Sequence, residues 1–581
     1  MATFTWTSGV SADWSTASDW TPSGGPPNSS TTGALINAVG TYTVTISQAE
    51  TANAVTLNAA GAELSVASTG TLFLTGSNPE LQLDAGTLDL DGTLMGGTVL
   101  AAGGTLQIDS SANNATLNGV TWQGPLVLGT NDLLNIAGGL TVETASGGLP
   151  GTIDATAGGV SLLVLDSETL NNELVAFGSV GTDSIFNSNS AGGTLTLGSG
   201  FTLSQTGGFN SLINQYLGDT ITNFGQIDIM GGDLQAFFDA LSNSGTVLVS
   251  GGGTADFSFI TLSNSGLINI GPTGDVVLGA IASNTGSLEF SGADGVLTLD
   301  QSGSFQGTIS GIAPTDTIVL ADLIYGGTTT PQLLTGNHLR IVEGGTTVTL
   351  NLNSAQNFSG DRFQLALDPT SGGTSVTMSV ACFAAGTRIR TRRGDVVVED
   401  LVEGDVVPME IDGGEAPIVW IGRSDVDCAH HPRPRTVWPV LISAHAFGPS
   451  MPERDLLLSP DHAVYVDEVL IPVGQLANGT SIAQVPVGKV TYYHVELPRH
   501  DVLLAEGLPV ESYLDTGDRS NFANGGGPMR LFPHFLSAPN APVVWEARGC
   551  APLIVTGPKL DAVRERVNAR AQFLVKRGAV A

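Results

Sequence analysis

Residues 223–249 read NFGQIDIMGGDLQAFFDALSNSGTVLV, and this stretch decides the fold of the first part of the chain. In it, Asn-x-Gly introduces a short segment in which apolar and polar residues alternate. The same unit begins again at Asn243, Asn264 and Asn284, at intervals of 20, 21 and 20 residues from Asn223. Alternation with a period of two is typical of a half-buried strand, and a fixed repeat of about twenty residues is typical of a solenoid. The stretch therefore predicts stacked β coils.

Short alternating segments introduced by Gly-Thr-Leu extend this pattern upstream, for example at Gly70, Gly86 and Gly193. Each coil is expected to bury its inward Leu, Ile and Val side chains against the coils next to it. Stacked Asn residues at one corner are expected to form a hydrogen-bonded ladder. We predict an all-β chain with a β-solenoid of about 20 residues per coil over residues 31–381. Residues 1–30 break the repeat and are predicted to cap its open end.

Charge is distributed unevenly along the 581 residues, of which only 13% are charged. Before residue 382 the basic residues are Arg340 and Arg362, against 30 acidic residues, a balance of −28. The last 200 residues carry 19 basic and 24 acidic residues. Phosphate binding needs Lys and Arg, so nucleic acid and anionic membranes are poor partners for the first part.

The reactive side chains lie mainly in the last 200 residues, which hold all three Cys and seven of the eight His. This part begins with Cys382-Phe-Ala-Ala-Gly-Thr and continues with Gly404-Asp-Val-Val. Ser459-Pro-Asp-His462 follows, and a longer segment, YYHVELPRHDVLLAEGLPV, runs from Tyr492 to Val510. The change in composition predicts a domain boundary at Cys382, and the short alternating segments predict a second all-β domain.

These three blocks, in this order, resemble the Hint domain of hedgehog proteins and inteins, in its bacterial form, over residues 382–515. The resemblance implies the Hint fold and single-turnover, cysteine-type autoproteolysis. Cys382 then attacks the carbonyl carbon of Ala381, and a thioester replaces the peptide bond in an N–S acyl shift.

The catalytic candidates are Cys382, His462, Ser459 and His500. His462 is expected to protonate the departing amide nitrogen. Ser459 stands where the family has Thr, and it is expected to bond the scissile carbonyl or to orient the imidazole. His500 is expected to orient the reacting groups, and a structural role is expected for His494.

The end of the third block departs from the splicing pattern. A splicing intein ends in His-Asn before a Cys, Ser or Thr, whereas this chain has Glu511-Ser512-Tyr513. Since Asn cyclisation makes the second cut, only the first half-reaction is expected. The thioester acceptor stays open between water, a thiol, an amine and an alcohol.

No metal or cofactor is expected. Cys428, His430, His431 and His445 are close in sequence but lack the paired spacing of tetrahedral zinc sites. The tail, residues 516–581, carries apolar residues on helical spacing from Leu560 to Leu574, which predicts a short amphipathic helix that docks on its own domain.

The first part resembles the β-helical passengers of bacterial adhesins and autotransporters. This resemblance implies a secreted or cell-surface protein with a cell-surface or carbohydrate ligand. The N-terminus lacks an ordinary export signal and no apolar run is long enough to span a bilayer, so we expect export by another route. Self-processing is the function expected first. The alternatives are a structural adhesin whose Hint domain is inert and a β-helical carbohydrate-active enzyme.

Overall fold

The protein is described here from a computed structural model. It describes residues 2–576 except for residues 8, 77–78, 109–113, 293, 314–315, 327–330, 357, 359–361, 380–381, 412, 430–436, 514–548 and 555–556. The chain forms two compact units, residues 1–307 and 308–581. Nearly all of the regular structure is β, as the sequence predicted.

The strands of the first unit, in chain order, are β1 Ala2–Trp6, β2 Ala12–Asp13, β3 Trp20–Thr21, β4 Ser29–Ile36, β5 Tyr42–Ile46, β6 Ala49–Val66, β7 Thr71–Leu74, β8 Leu81–Leu90, β9 Thr93–Met95, β10 Thr98–Ala101, β11 Thr105–Gln107, β12 Thr116–Gln123, β13 Leu126–Val127, β14 Leu133–Glu143, β15 Gly151–Ala155, β16 Ser161–Val164, β17 Glu168–Leu170, β18 Glu173–Phe177, β19 Ser184–Asn187, β20 Thr194–Leu197, β21 Thr202–Gln205, β22 Phe209–Asn214, β23 Thr220–Asn223, β24 Gln226–Ile229, β25 Asp233–Asn243, β26 Thr246–Val249, β27 Thr254–Asn264, β28 Leu267–Ile270, β29 Asp275–Asn284, β30 Ser287–Phe290 and β31 Val296–Leu299.

These strands form a β-solenoid of about 13 turns. Strands one coil apart pair in parallel and in register, so that β24, β26, β28 and β30 follow one another in a single sheet. Inward positions hold Leu, Ile, Val and Phe with almost no exposure, while the alternate positions face outward. Each coil therefore buries its apolar side chains against its neighbours, which is the packing that the repeat predicted.

The predicted asparagine ladder is confirmed. Asn223, Asn243 and Asn264 each donate from Nδ2 to Oδ1 of the Asn in the next coil, at 2.8 Å, and the ladder ends at Asn284. These side chains are buried at the coil corner, where each hydrogen bond satisfies a polar group that water cannot reach.

The first thirty residues hold three buried tryptophans, Trp6, Trp14 and Trp20. The Trp20 ring packs edge-on against both Trp6 and Trp14, with centroids 4.9 and 4.8 Å apart. Strand β1 pairs in parallel with β4 of the following coil. The role of these residues as a cap stays a prediction.

The strands of the second unit are β32 Thr308–Ser310, β33 Thr317–Ile324, β34 Gln332–Leu334, β35 His338–Glu343, β36 Thr346–Leu352, β37 Arg362–Leu367, β38 Gly373–Ser379, β39 Phe383–Ala384, β40 Arg388–Thr391, β41 Gly394–Val397, β42 Val406–Pro408, β43 Glu415–Pro417, β44 Trp420–Val426, β45 Val440–Ile442, β46 Leu456–Leu458, β47 Ala463–Val466, β48 Val469–Pro472, β49 Ile482–Gln484, β50 Val490–Glu496, β51 Val502–Ala505 and β52 Leu508–Glu511, followed by helix α1 Pro558–Lys576. Short 3₁₀ turns lie at Ala17–Asp19, Ser302–Ser304, Val398–Asp400 and Val473–Leu476.

Between residues 308 and 379 the pairing is mainly antiparallel, as in β34, β35 and β36 and in β33, β38 and β37. From residue 383 onward, two six-stranded antiparallel sheets enclose one core. Their strand orders are β44-β50-β39-β46-β45-β49 and β41-β40-β51-β52-β47-β48. The predicted boundaries at residues 30, 381 and 515 stay predictions.

The predicted C-terminal helix is present, and it docks on its own domain. Leu560, Val563 and Val567 join the core enclosed by the two sheets. Arg564 Nε donates to the carbonyl of Gln475 at 2.7 Å, and Arg570 Nε donates to the carbonyl of His445 at 3.0 Å. No helix among the described residues is both long and apolar enough to cross a membrane.

Candidate active site

Cys382 immediately precedes β39, a two-residue strand between β46 and β50. Antiparallel pairing places Phe383 opposite Leu458 on one side and opposite Tyr493 on the other. Cys382 comes one residue before Phe383, so the same register places it opposite Ser459 on one side and opposite His494 on the other. Directly opposed residues on antiparallel strands have neighbouring side chains, so the sheet brings these three residues together although they are far apart in sequence.

The thiol of Cys382 contacts an imidazole. Its Sγ lies 2.9 Å from Nε2 of His494, and both residues are buried, with 3% and 0% of their surface exposed. The pair is therefore either a thiol with a neutral imidazole or a thiolate with an imidazolium. In both forms the proton lies between the nucleophile and a base, which is the arrangement that activates a cysteine.

The backbone nitrogen of Cys382, which belongs to the bond expected to break, contacts a hydroxyl. Its N–H donates to Ser459 Oγ at 2.9 Å, and the Ser459 N–H donates to the Cys382 carbonyl at 3.0 Å. The sequence left open whether Ser459 bonds the scissile carbonyl or orients the imidazole; the structure places its hydroxyl at the nitrogen. Ala381, which supplies that carbonyl, lies outside the described residues.

His462 lies one turn beyond Ser459 and is fully buried. Its backbone N–H donates to the Ser459 carbonyl at 3.1 Å, and its ring packs edge-on against Phe383 with centroids 4.3 Å apart. Nε2 lies 3.1 Å from the carbonyl oxygen of Glu511. Because a carbonyl only accepts, Nε2 carries the proton, and a neutral His462 has its lone pair on Nδ1.

His500 lies next to Glu511. Its Nδ1 accepts from the Cys550 N–H at 3.1 Å, so the proton of a neutral ring is on Nε2, which faces the Glu511 carboxylate at 3.7 Å. The other carboxylate oxygen of Glu511 accepts from the Ala463 N–H at 2.8 Å. Glu511 thus joins His500 to the turn that carries His462, and the orienting role of His500 stays a prediction.

Two further side chains near this site, Cys550 and Tyr492, have raised pKa values. Burial, and then the charges of Glu511 and Asp501, raise the pKa of the Cys550 thiol to about 12. Burial, with Cys382, Cys428 and Asp461 adding to it, raises the pKa of Tyr492, which stays a neutral hydroxyl that donates to the Val437 carbonyl at 2.8 Å. Neither group is poised to react at neutral pH.

His494 is the residue whose contact with the nucleophile the sequence reasoning missed. Its position in an alternating strand indicated a structural role. Tyr513, just after the third block, packs edge-on against the His494 ring with centroids 5.2 Å apart, and its ring is tilted against that of Trp420 with centroids 5.4 Å apart. The pairing of β39 with β50 indicates the contact between Cys382 and His494, but the register of those strands is known only from the structure.

The family model of the Hint domain matches residues 381–517. The chain contains a Hint domain. It spans both six-stranded sheets and includes Cys382, Ser459, His462, His494 and His500, as the resemblance of the three blocks implied. No curated protein matches the chain.

The residues considered for zinc do not all lie in the described part of the Hint domain, since His430 and His431 fall outside it. Cys428 is buried, and His445 Nδ1 accepts from the Ser450 N–H at 2.9 Å. Within the described ranges, no group of three or more His, Cys, Asp and Glu side chains is arranged to hold a metal ion.

Proposed function

We propose that the Hint domain cleaves its own chain between Ala381 and Cys382, so that the β-solenoid is released or joined to another molecule. The observation that carries this proposal is the 2.9 Å contact of Cys382 Sγ with His494 Nε2, beside the 2.9 Å contact of Cys382 N with Ser459 Oγ. One residue thereby has its nucleophile next to a base and its leaving nitrogen next to a hydroxyl.

In the first step, Nε2 of His494 accepts the thiol proton and the thiolate attacks the Ala381 carbonyl carbon. A tetrahedral intermediate forms, with a new C–S bond. The C–N bond then breaks, and the nitrogen of Cys382 takes up one proton and becomes an amino group. The proton lost by the thiol thus balances the proton gained by the amine, and the product is a thioester between Ala381 and Cys382.

Ser459 is suited to relay that proton, because its hydroxyl donates to the nitrogen and then regains the proton that His494 took from the thiol. While the amide is intact, its hydroxyl oxygen accepts from the Cys382 N–H, but the same hydroxyl can donate once the nitrogen gains a lone pair. His462 fixes the turn from which Ser459 projects. The proposal therefore gives Ser459 direct contact with the leaving group and retains His462 as a candidate for the proton supply.

In the second step, an acceptor attacks the thioester and the Cys382 thiol is restored. With water, one molecule is consumed and Ala381 gains a carboxylate; a thiol, amine or alcohol would instead become attached to Ala381. Asn cyclisation has no counterpart here, because Glu511-Ser512 stands where the splicing pattern has His-Asn. Ser512 Oγ accepts from the Asp501 N–H at 3.1 Å.

The proposed setting is outside the cell or at its surface, where a released or conjugated solenoid would act. The composition of the solenoid supports this setting: its strong negative charge, with almost no Lys or Arg, keeps copies apart in solution. Water, a thiol, an amine or an alcohol would serve as the acceptor, and export would follow a route that does not use an ordinary N-terminal signal.

Intact-mass measurement of the purified full chain tests the cleavage. We expect fragments 1–381 and 382–581 whose masses sum to the chain plus one water, and faster cleavage with added dithiothreitol or hydroxylamine, which attack thioesters. Cys382→Ala should stay intact, whereas His338→Ala, which changes an exposed histidine before the Hint domain, should cleave like the wild type. A wild-type chain that stays intact with both reagents would leave the inert-domain alternative in place.

A further inference from the structure

One outward face of the β-solenoid carries a ladder of apolar side chains from three successive coils. Strand pairing sets Ile213 beside Phe237, and Phe237 beside Phe259. The Phe237 and Phe259 rings are stacked, with centroids 5.3 Å apart and planes 24° apart. Phe259 is 58% exposed, so the ladder presents aromatic surface to solvent.

A bulge in β25 enlarges this aromatic ladder. Phe238 and Asp239, which follow Phe237, both have positive φ values, 64° and 54°, and the register with β27 shifts at this point. Positive φ is costly for a residue as bulky as phenylalanine, and such strain is found preferentially at functional sites. Its result here is that Phe238 projects into solvent, 63% exposed, with its ring 6.1 Å from that of Phe237.

A polar row runs alongside the aromatic ladder on the same face. Gln235 pairs with Asp256 in the next coil, and Gln235 Nε2 donates to Asp256 Oδ2 at 3.1 Å. The other oxygen of Asp256 accepts from the Ser258 N–H at 2.9 Å. Each carboxylate oxygen can accept a further hydrogen bond. Two residues earlier on the same strands, Asp233 pairs with Thr254.

The charge and the backbone of this face limit what can bind. Residues 1–307 contain neither Lys nor Arg, and the face itself carries carboxylates, so an anionic ligand would be repelled. Strand β25 pairs with β22 and β23 on one side and with β27 on the other, which leaves no strand edge to which a peptide could add. The remaining surface consists of exposed aromatic rings and oxygen acceptors, repeated at the coil spacing of about 4.8 Å.

We propose that this face binds a neutral polysaccharide that lies along the solenoid, across successive coils. A sugar ring has an apolar C–H face, which can stack on an aromatic ring, and a rim of hydroxyl groups that donate to carboxylate and amide oxygens. The aromatic ladder and the polar row offer these two kinds of contact side by side. The inference concerns binding alone and does not depend on cleavage by the Hint domain.

The test is affinity gel electrophoresis of the full chain as Cys382→Ala, which stays in one piece whether or not the wild type cleaves. The gels contain a soluble β-1,3-glucan, hydroxyethyl cellulose or α-mannan, three neutral polymers. We expect at least one to retard the protein, with no loss of retardation at high salt. Substituting Phe237→Ala and Phe259→Ala together should weaken binding, by roughly two- to tenfold for each ring.

The matched control is Phe224→Ala, which removes a ring that is 50% exposed at a coil corner, in the Asn-x-Gly turn after β23. It should bind like its parent, and since these substitutions leave the charge unchanged, mobility reports binding. Circular dichroism checks that each variant is folded. A further gel contains poly-lysine, which tests for binding by charge alone. The proposal is overturned if none of the three neutral polymers retards the chain or if the double substitution binds like the control. It is also overturned if only poly-lysine retards the chain and high salt abolishes that retardation.

Discussion

Cys382 and His494 are 112 residues apart in the chain, yet Sγ of the first lies 2.9 Å from Nε2 of the second in a buried part of the Hint domain. The contact depends on the short strand β39, which pairs with β50 on one side and with β46 on the other. His494 and Ser459 therefore approach Cys382 from two different strands. In the proposed reaction, this arrangement separates the activation of the thiol from the protonation of the leaving nitrogen.

His494→Ala should slow thioester formation by roughly 10² to 10⁴, the usual range for loss of a positioned base. The rate is measured as the hydroxylamine-dependent appearance of fragment 382–581, resolved by mass spectrometry. His338→Ala is the control for removal of an imidazole. If the His494 variant cleaves at the wild-type rate while still folded, the base lies elsewhere, and His462→Ala becomes the decisive substitution.

Ser459→Ala should affect both stability and rate. Without the hydroxyl, the buried N–H of Cys382 loses its acceptor, which costs about 1–3 kcal/mol of unfolding free energy. Urea unfolding of the Hint domain, measured in the Cys382→Ala background, reports that loss without interference from cleavage. In the wild-type background, cleavage should also slow because the departing nitrogen lacks its proton source. Normal stability together with normal cleavage would remove Ser459 from the mechanism.

Asn243→Ala should weaken the solenoid at its corner. Asn243 accepts from Asn223 and donates to Asn264, so the substitution leaves two buried amide groups each without one partner. A loss of about 1–3 kcal/mol is expected for each unsatisfied group. Hydrogen exchange of strands β23 to β28 should accelerate. Ser244→Ala, the next residue, removes an exposed hydroxyl that bonds Ser265 and should leave exchange nearly unchanged.

Glu173 should make the solenoid less stable as the pH rises through neutrality. Burial raises the pKa of its carboxyl from 4.5 to about 7 in the folded protein. The folded state therefore holds a proton that the unfolded chain has already lost, and the stabilisation, present below about pH 4.5, is lost as the pH rises through 7. Hydrogen exchange of β18 should be slower at about pH 5 than at about pH 8, after correction for the intrinsic rate.

Glu173→Gln serves as the comparison for that experiment, because it keeps the shape and the neutral state at every pH. Its corrected exchange should not change between the two conditions. If the variant shows the same pH response as the wild type, another group in the solenoid is responsible.

Much of the fold follows from local pattern. The repeat at Asn223, Asn243 and Asn264 determined the coil length and placed the asparagines at one corner, because a parallel stack in register brings equivalent residues together. The apolar spacing from Leu560 to Leu574 likewise determined a helix and the side that it buries. In both cases the signal lies within one element or repeats at a constant interval, so neighbouring residues suffice to read it.

Cys382 as the candidate nucleophile, with a domain boundary beside it, was predicted from the sequence, from the abrupt change in Cys and His usage and from the three ordered blocks. The base was not. His494 becomes the partner of Cys382 only through the register between strands that are distant in the chain, and a shift of one residue would turn its imidazole to the other face of the sheet. The exposed ladder of Phe237 and Phe259 likewise depends on a β-bulge, which the sequence repeat does not predict. The sequence by itself determined which elements form and where reactive groups are concentrated, whereas tertiary pairing alone decided which of those groups touch.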